Sequence, residues 1–354
     1  MRTEKSTKRG ELMSQFVCVR ITSMEGMDIG LFDFDRHNAL YFFVVNAEGQ
    51  IYLRYGGRDS ESATTYLDLE SLELALEQGL AAHEQYKALD RPEVDRPAPL
   101  YPREMDLLRR RTIGRRRCVE CHLIDDYRTQ QLELDGKLNR LESMYRSPDI
   151  KNLGIHLDVP RGLVVAEAKG AAADAGMRKG DRIVAIGDQS LLTFGDLQFY
   201  YDKTPRDSER IQLTVARQKQ GSSDEELRGL DLDLPHQWWR TDLSYRYWNV
   251  EPIVYYESRP LSEEEKAEHG LPAAGFASEV TSVDPYAGWT DLHDLKVGDI
   301  TFSVDDVQTD EIADSTDLFI KLRKKAGDRY RIGVIRDGAK IELLLKTNRQ
   351  LFRK

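Results

Sequence analysis

The sequence predicts an α+β protein of several domains, and three observations lead to this prediction. A Gly-Asp turn, an alternating apolar strand, a helix and a second strand ending in arginine occur twice. The interval from Gly180 to Arg217 is 37 positions, and that from Gly298 to Arg336 is 38. The N-terminal quarter has a different order of strands and a helix, and a proline-rich stretch follows it. We therefore expect domains at 1–90, 148–235 (copy one) and 236–354 (copy two), with a linker region at 91–147.

Composition limits the classes of function. At 354 residues the chain is long enough for two or three cores. A net charge of −10 argues against a general nucleic-acid partner. No apolar run is long enough for a membrane span, and residues 1–10 lack the apolar stretch of a signal peptide, so the chain as written is expected in the cytoplasm. The oligomeric state is left open.

The N-terminal region predicts strands at 16–21, 39–45 and 50–55, the last two joined by a hairpin turn. Residues 68–87 carry leucines at helical spacing. This order resembles the second half of a thioredoxin-like domain, which implies a partial thioredoxin-like α/β sheet. Thioredoxins carry a cis-proline where this chain has His37-Asn38, and their Cys-x-x-Cys lies ahead of this region. We therefore expect a structural domain rather than an oxidoreductase here.

The partial domain also lacks a strand between 16–21 and the hairpin, which leaves an open sheet edge. We hypothesise that Met1 is an internal start and that a longer product carries the missing strand. An export signal upstream would then place the protein in the periplasm or outside the cell.

Residues 103–117 hold seven arginines against Glu104 and Asp106. This basic segment is either a solvated face that contacts an acidic neighbour, the interpretation we favour, or a site for an anionic group. The sequence Cys118-Val119-Glu120-Cys121-His122 follows directly.

That motif resembles the attachment site of c-type haem, which implies two thioether bonds and iron ligation by His122, the only metal ligand that the sequence predicts. On one helical turn, both sulfurs and the imidazole would share a face. Met144, Met105 and His156 are candidate sixth ligands. A redox dithiol and a structural thiol pair are the alternatives, so no cofactor is certain.

Copy one opens with Asn152-Leu153-Gly154-Ile155 and continues with Ala175-Gly176 and Gly180-Asp181. These features resemble a PDZ domain, and copy two resembles one less closely. The two copies are thus expected to be mainly-β PDZ-like domains. The resemblance implies that an extended peptide adds to one strand while loop N–H groups hold its carboxylate. The implied peptide-binding residues are Leu153, Gly154, Ile155, Leu157, Phe194, Gln198 and Tyr201. The alternative is that another segment of this chain fills the groove.

Copy two is predicted to be the poorer receptor. Its receiving strand is expected at 252–259, where Pro252 has no N–H and Glu251 repels a carboxylate. An acidic helix at 260–269, with a capping box from Ser262 to Glu265, resembles an insertion in PDZ units of bacterial high-temperature-requirement proteases. Between the copies, residues 221–233 are polar and acidic and are expected to be a surface loop or a linker. The aromatic residues that follow are expected to cement a domain interface rather than stack sugars or bases: Trp238, Trp239, Tyr245, Tyr247, Trp248, Tyr255 and Tyr256.

The chain contains no recognisable serine-nucleophile motif or Asp-His-Ser arrangement. We therefore predict a non-enzymatic modular protein that binds peptide termini or extended strands through copy one. The alternatives are an exported electron-transfer protein with haem at Cys118-x-x-Cys121-His122, or a thiol oxidoreductase that uses Cys118 and Cys121.

Overall fold

The computed structural model describes residues 7–89, 96–219, 221–246, 250–284 and 294–349. The chain divides into two units. Unit one comprises Met1–Gln131 with Tyr145–Arg246, and unit two comprises Leu132–Met144 with Tyr247–Lys354. The N-terminal region and copy one therefore belong to the same unit, whereas the finer division into four segments stays a prediction. None of the described helices is long and apolar enough to cross a membrane.

The N-terminal region is built on a hairpin and a long helix. β1 and β2 pair antiparallel, and the helix α2 packs its buried Leu72 and Ala75 against Leu53 and Tyr55 of β2. Asp68 caps α2 by accepting from the N–H groups of Glu70 and Ser71. The elements before copy one are α1 (Lys8–Met13), β1 (Tyr41–Val45), β2 (Ile51–Gly56), α2 (Leu69–Lys87), α3 (Asp106–Arg111), α4 (Cys121–Leu134) and α5 (Arg140–Met144).

The prediction of a strand at 16–21 is wrong. These residues form no strand, and Val17 and Val19 are 94% and 75% exposed. Alternating β-branched residues favour a strand only where a neighbouring strand supplies hydrogen-bond partners, and β1 pairs with β2 alone among the described strands. The described N-terminal residues therefore form a hairpin and a helix, and the thioredoxin-like assignment stays a prediction.

Copy one consists of two small sheets and a helix. The first pairs β3 with β4, and the second has the order β6-β5-β7-β8. Residues 221–233, expected as a loop, instead contain β8, which pairs with β7 along its whole length because Leu230 and Leu232 turn into the core. The elements are β3 (Ile155–Leu157), β4 (Val165–Ala168), α6 (Gly170–Asp174), β5 (Arg182–Ile186), β6 (Gln189–Ser190), α7 (Phe194–Asp202), β7 (Arg210–Gln218) and β8 (Glu225–Asp233).

Copy two forms one sheet of order β13-β12-β11-β10-β9. Its predicted receiving strand begins at Tyr256 rather than at Pro252, because Ile253 pairs instead with Asn348. The capping box of the acidic helix is confirmed at Ser262 and Glu265. The elements are β9 (Tyr256–Pro260), α8 (Glu263–Glu268), β10 (Ser278–Val283), β11 (Ile300–Val304), α9 (Thr316–Arg323), β12 (Arg329–Arg336) and β13 (Ala339–Lys346).

An ion pair explains the repeated spacing in the two copies. Arg217 at the end of β7 donates to both carboxylate oxygens of Asp181, each at 2.7 Å. Arg336 at the end of β12 does the same to Asp299, at 2.8 and 2.7 Å. Gly180 and Gly298 both have a φ of +89°, a left-handed conformation that glycine adopts without strain. We call these two pairs the Asp-Arg clamps. Each clamp joins the turn before one strand to the end of the strand that pairs with it.

Candidate peptide-binding site

The loop that precedes β3 has the glycine-dependent geometry expected from the sequence, for an additional reason. Gly154 has a φ of +79° and ends a short 3-10 turn. A side chain at this position would strike the carbonyl of Lys169, whose N–H donates to the Gly154 carbonyl at 2.8 Å. The need for glycine therefore comes from contact within the domain as well as from any ligand.

Most of the predicted peptide-binding side chains are buried. Leu153 and Ile155 of the loop and β3 are 2% and 1% exposed. On α7, Phe194, Gln198 and Tyr201 are 6%, 3% and 1% exposed. Leu157 is half-buried. A helix that faces an empty groove would leave such side chains open to solvent, so other residues must cover α7.

Residues 54–66 of the same chain provide that cover, and we call them the internal segment. Tyr66 stacks on Phe194 with ring centroids 3.4 Å apart. The side-chain amide of Gln198 donates to the Arg58 carbonyl at 2.7 Å and accepts from the Arg58 N–H at 3.4 Å. Gly57 lies so close to Phe194 that a side chain there would collide with the ring. The contacts of α7 therefore agree with the alternative in which another segment of this chain fills the groove.

The N-terminal end of α7 is joined to β2 by further hydrogen bonds. Asp196 accepts from the Arg54 N–H at 2.9 Å, and the Thr193 hydroxyl donates to the Arg54 carbonyl. Tyr41 donates its hydroxyl to the Gly195 carbonyl at 3.1 Å. Burial raises the pKa of Asp196 to about 6, although these donors act in the opposite direction. The contact therefore contains a carboxyl group that titrates at mildly acidic pH.

Contacts also lie at the two ends of β3. Lys151, just ahead of the Leu153-Gly154 loop, donates to Asp59 at 2.6 Å, and Ser60 donates its N–H to Asp149 at 3.2 Å. Beyond β3, a side chain at Gly162 would touch Leu74 of α2. The N-terminal region thus contacts copy one from the loop before β3 to the turn after it.

A buried ion-pair network anchors the internal segment, and sequence reasoning missed it. The Arg58 guanidinium is fully buried and donates to Asp35 at 2.6 Å and to the Arg146 carbonyl at 2.7 Å. His37 hydrogen-bonds to the same carboxylate at 2.9 Å. Burial opposes ionisation of Asp35, but Arg58 and His37 hold its pKa well below the usual range.

Asp35, His37 and Asp125 place their ligand atoms within 4.8 Å of one another, a spacing that can suit a metal ion. Asp35 is already bonded to Arg58, and Asp125 pairs with Arg36 at 3.0 Å. The two guanidinium groups supply the positive charge that an ion would bring. The geometry therefore favours an ion-pair network over a metal centre.

Trp238 and Trp239, the first two aromatic residues after copy one, pack inside unit one. Trp238 lies 5.1 Å from the Tyr201 ring, and Trp239 lies 4.9 Å from Tyr145. Both tryptophans are buried, so neither offers a face for sugars or bases. Tyr247 and Trp248, from the same predicted cluster, lie outside the described residues.

In copy two, an ion pair joins the loop before β9 to α9, the helix that corresponds to α7 and that we call the wall helix of copy two, as α7 is that of copy one. Glu251 is buried and pairs with Lys321 of α9 at 3.1 Å, and Pro252 next to it is buried as well. The position expected to repel a ligand carboxylate is thus already neutralised. Ser258 of β9 also reaches Asp317 of α9, at 3.3 Å.

The Cys-x-x-Cys-His motif is not on one helical turn as expected. α4 begins at Cys121, and Cys118 lies ahead of it in irregular, exposed backbone. Val119 is the reason: it is buried in an apolar cluster, and its carbonyl accepts from the Met24 N–H at 3.2 Å. Burial raises the pKa of the Cys121 thiol, which disfavours a reactive thiolate.

A haem would need an apolar pocket at this motif. Glu120 and the arginines at 115–117 are exposed around Cys118, and the His122 side chain is 40% exposed with its ring 3.7 Å from Glu120. Among the candidate sixth ligands, Met105 packs against the same cluster as Cys121. Met144 belongs to unit two, and His156 is half-buried on β3. These surroundings do not fit a haem, and its attachment stays a prediction of the motif alone.

Comparisons with known proteins found solved structures and one family match. Solved structures of the HtrA-type protease AlgW with a decapeptide and with a tripeptide are each 17% identical, cover 49% of this chain and have TM-scores of 0.24 and 0.25. The match spans 56% and 60% of those chains. No curated protein matches the chain. The PDZ domain family matches residues 163–217, a range that includes α7 and the Asp181–Arg217 clamp, so this part of the chain resembles a PDZ domain.

Proposed function

We propose that copy one is a peptide-binding PDZ domain whose groove wall is occupied by the internal segment, and that it captures external peptides when this segment leaves. The observation that carries the proposal is the pair of hydrogen bonds between the Gln198 amide and the Arg58 backbone. A side-chain amide that binds both the N–H and the C=O of one residue recognises extended backbone without regard to side-chain identity.

The internal segment also suggests the chemistry of an external ligand. Tyr66 stacks on Phe194 and is buried. A ligand that takes its place must cover the same aromatic ring, so an apolar or aromatic side chain is favoured over a hydroxylated one. Gly57 passes Phe194 where a Cβ would collide, so the ligand needs either a glycine at that point or a small shift of the ring.

Tethering makes the internal segment a strong competitor. Because the segment belongs to the same chain as α7, its binding is intramolecular and a free peptide must compete with it. The apparent dissociation constant for a free peptide is its intrinsic value divided by the fraction of molecules with an open groove. Weakening the internal segment should therefore tighten external binding even though the groove itself is unchanged.

The substitution Gly57→Ala tests this reasoning, because it alters the internal segment and leaves α7 intact. The added methyl would collide with Phe194, and alanine is strained at a φ of +142°. We expect the full-length variant to bind fluorescent peptides with apolar C-termini at least about tenfold more tightly than the unmodified protein, measured by fluorescence anisotropy. Hydrogen exchange at residues 54–66 reports whether the segment has been released.

Gly187→Ala is the matched control. This glycine lies in copy one with a φ of +51°, but no atom lies within 4 Å of a Cβ placed there. It should leave peptide affinity unchanged. Tyr66→Ala offers a second route, since it removes the stacking on Phe194 without backbone strain. If exchange at 54–66 rises in either variant and peptide affinity does not, copy one is a structural domain and the proposal is wrong.

A further inference from the structure

The arginine-rich segment before Cys118 is exposed and is not neutralised by its surroundings. Within 109–117, all six arginines are exposed. Arg109 pairs with Asp106 at 2.8 Å. No hydrogen bond or ion pair joins the other five side chains to any residue that the structure describes: Arg110, Arg111, Arg115, Arg116 and Arg117. The acidic neighbour that the sequence suggested is therefore not found among the described residues.

Part of this cluster has a local structural role. Arg109, Arg110 and Arg111 occupy the last turn of α3, where positive charge is favourable beside the helix C-terminus. That role does not extend to the three arginines at 115–117, which follow a 3-10 turn. Their charge opposes the net charge of −10 of the chain as a whole. Repulsion among five such guanidinium groups is relieved by a partner that carries several negative charges.

A strip of exposed apolar side chains is linked to the arginine segment. Val17, Val19 and Ile21 alternate in the sequence and are 94%, 75% and 46% exposed. The Met24 N–H donates to the Val119 carbonyl at 3.2 Å, and both side chains lie in one apolar cluster with Leu108 of α3. The strip ends three residues before Met24, and the arginines end two residues before Val119. The contact between Met24 and Val119 therefore holds the ends of the two features near each other.

We propose that these two features form a docking surface for an anionic lipid bilayer, with the arginines at the phosphate groups and the valine strip at the apolar boundary. Clustered cations beside exposed branched side chains are the combination that holds proteins at membrane interfaces. Single-stranded nucleic acid would call for exposed aromatic rings on which bases stack. Phe16, next to the strip, and Tyr101, the aromatic residue nearest to the arginines in sequence, are both only half-exposed, and Tyr101 lies under Arg103.

The test is cosedimentation of the full-length protein with vesicles. We expect binding to phosphatidylcholine vesicles that contain about 30% phosphatidylserine, no binding to phosphatidylcholine alone, and weakening as salt screens the charges. Replacing the five unpaired arginines by glutamine should lower the partition coefficient about a hundredfold or more. The triple variant Val17→Ser, Val19→Ser and Ile21→Ser should lower it about tenfold.

A second variant replaces five exposed cations elsewhere, which gives the same net charge: Arg161, Arg178, Lys179, Lys219 and Lys340. This control should bind anionic vesicles nearly as well as the unmodified protein. Equal loss in both variants would mean that net charge alone matters and would overturn the proposal. It would also be overturned by equal binding to neutral vesicles, by no binding to anionic vesicles, or by binding of single-stranded RNA in place of vesicles.

Discussion

Copy one and copy two share an Asp-Arg clamp, a glycine at the same left-handed φ and a wall helix between two strands. They differ in what contacts the wall helix. In copy one, the backbone of the internal segment is bound by Gln198 of α7. In copy two, Lys321 of α9 pairs with the buried Glu251 of its own loop. The comparison teaches that the clamp fixes the arrangement of the strands in both copies, whereas the side chains of the wall helix decide what binds in the groove.

The largest effect is expected from breaking the clamps. Asp181 and Asp299 are 1% and 2% exposed, so Arg217→Leu or Arg336→Leu leaves a buried carboxylate without its partner. We expect each variant to lose about 3 kcal/mol in the free energy of unfolding of its own unit. Urea unfolding, monitored by hydrogen exchange in each unit, measures the unfolding free energies of the two units separately.

Exposed arginines of the same strands serve as controls. Arg210 of β7 pairs with Asp233, and Arg331 of β12 pairs with Asp306, both at the surface. Replacing either by leucine should leave the unfolding free energy unchanged. A clamp variant that behaves like its control would show that the repeated spacing has no role in stability.

A smaller effect with opposite signs in the two copies is expected from pH. The pKa of Asp196 in copy one is raised to about 6, above an ordinary value of 3.8, so the folded state holds its proton more tightly. Its contribution is present below about pH 4 and is lost as pH rises through 6. Asp299 in copy two has a lowered pKa: burial opposes ionisation, but the hydrogen bond from Arg336 prevails.

Stability from Asp299 is therefore present above its ordinary pKa and is lost as pH falls below it. Relative to the unmodified protein, Asp196→Asn should gain stability as pH rises from 4 to 6, and Asp299→Asn should gain it as pH falls below 4. Unfolding free energies at several pH values test both signs. The same sign in both variants would mean that the two carboxyl groups are not the source.

The smallest effect is expected at the loop of copy two. Lys321→Met removes the charge that faces Glu251 and should cost about 1 kcal/mol in the stability of unit two, because this pair is longer than the clamps, at 3.1 Å, and its carboxylate is more exposed. Unlike Gly57→Ala in copy one, it should not increase peptide binding, since Pro252 still offers no N–H donor to a carboxylate. Peptide affinity that rises in this variant would make copy two a receptor as well.

Sequence patterns were sufficient to predict the structure where the interactions that determine it are local. The helix α2 begins within a residue of its predicted start, because Asp68 caps it and its leucines recur at helical spacing. The repeat was visible because its turn glycines and strand alternation are encoded within some forty residues. The buried network of Asp35, His37 and Arg58 gave no such signal, since its members look like ordinary surface charges in the sequence.

By itself, the sequence determined the two related copies, the family resemblance of copy one and the side chains that line its wall helix. Only the tertiary structure decided that residues 16–21 form no strand and that residues 221–233 contain one. It also decided that the chain's own residues lie against α7. The physical reason is the same in each case. Strand pairing and groove occupancy depend on contacts between backbone groups and apolar surfaces that are distant in the sequence. Local propensity does not predict such contacts.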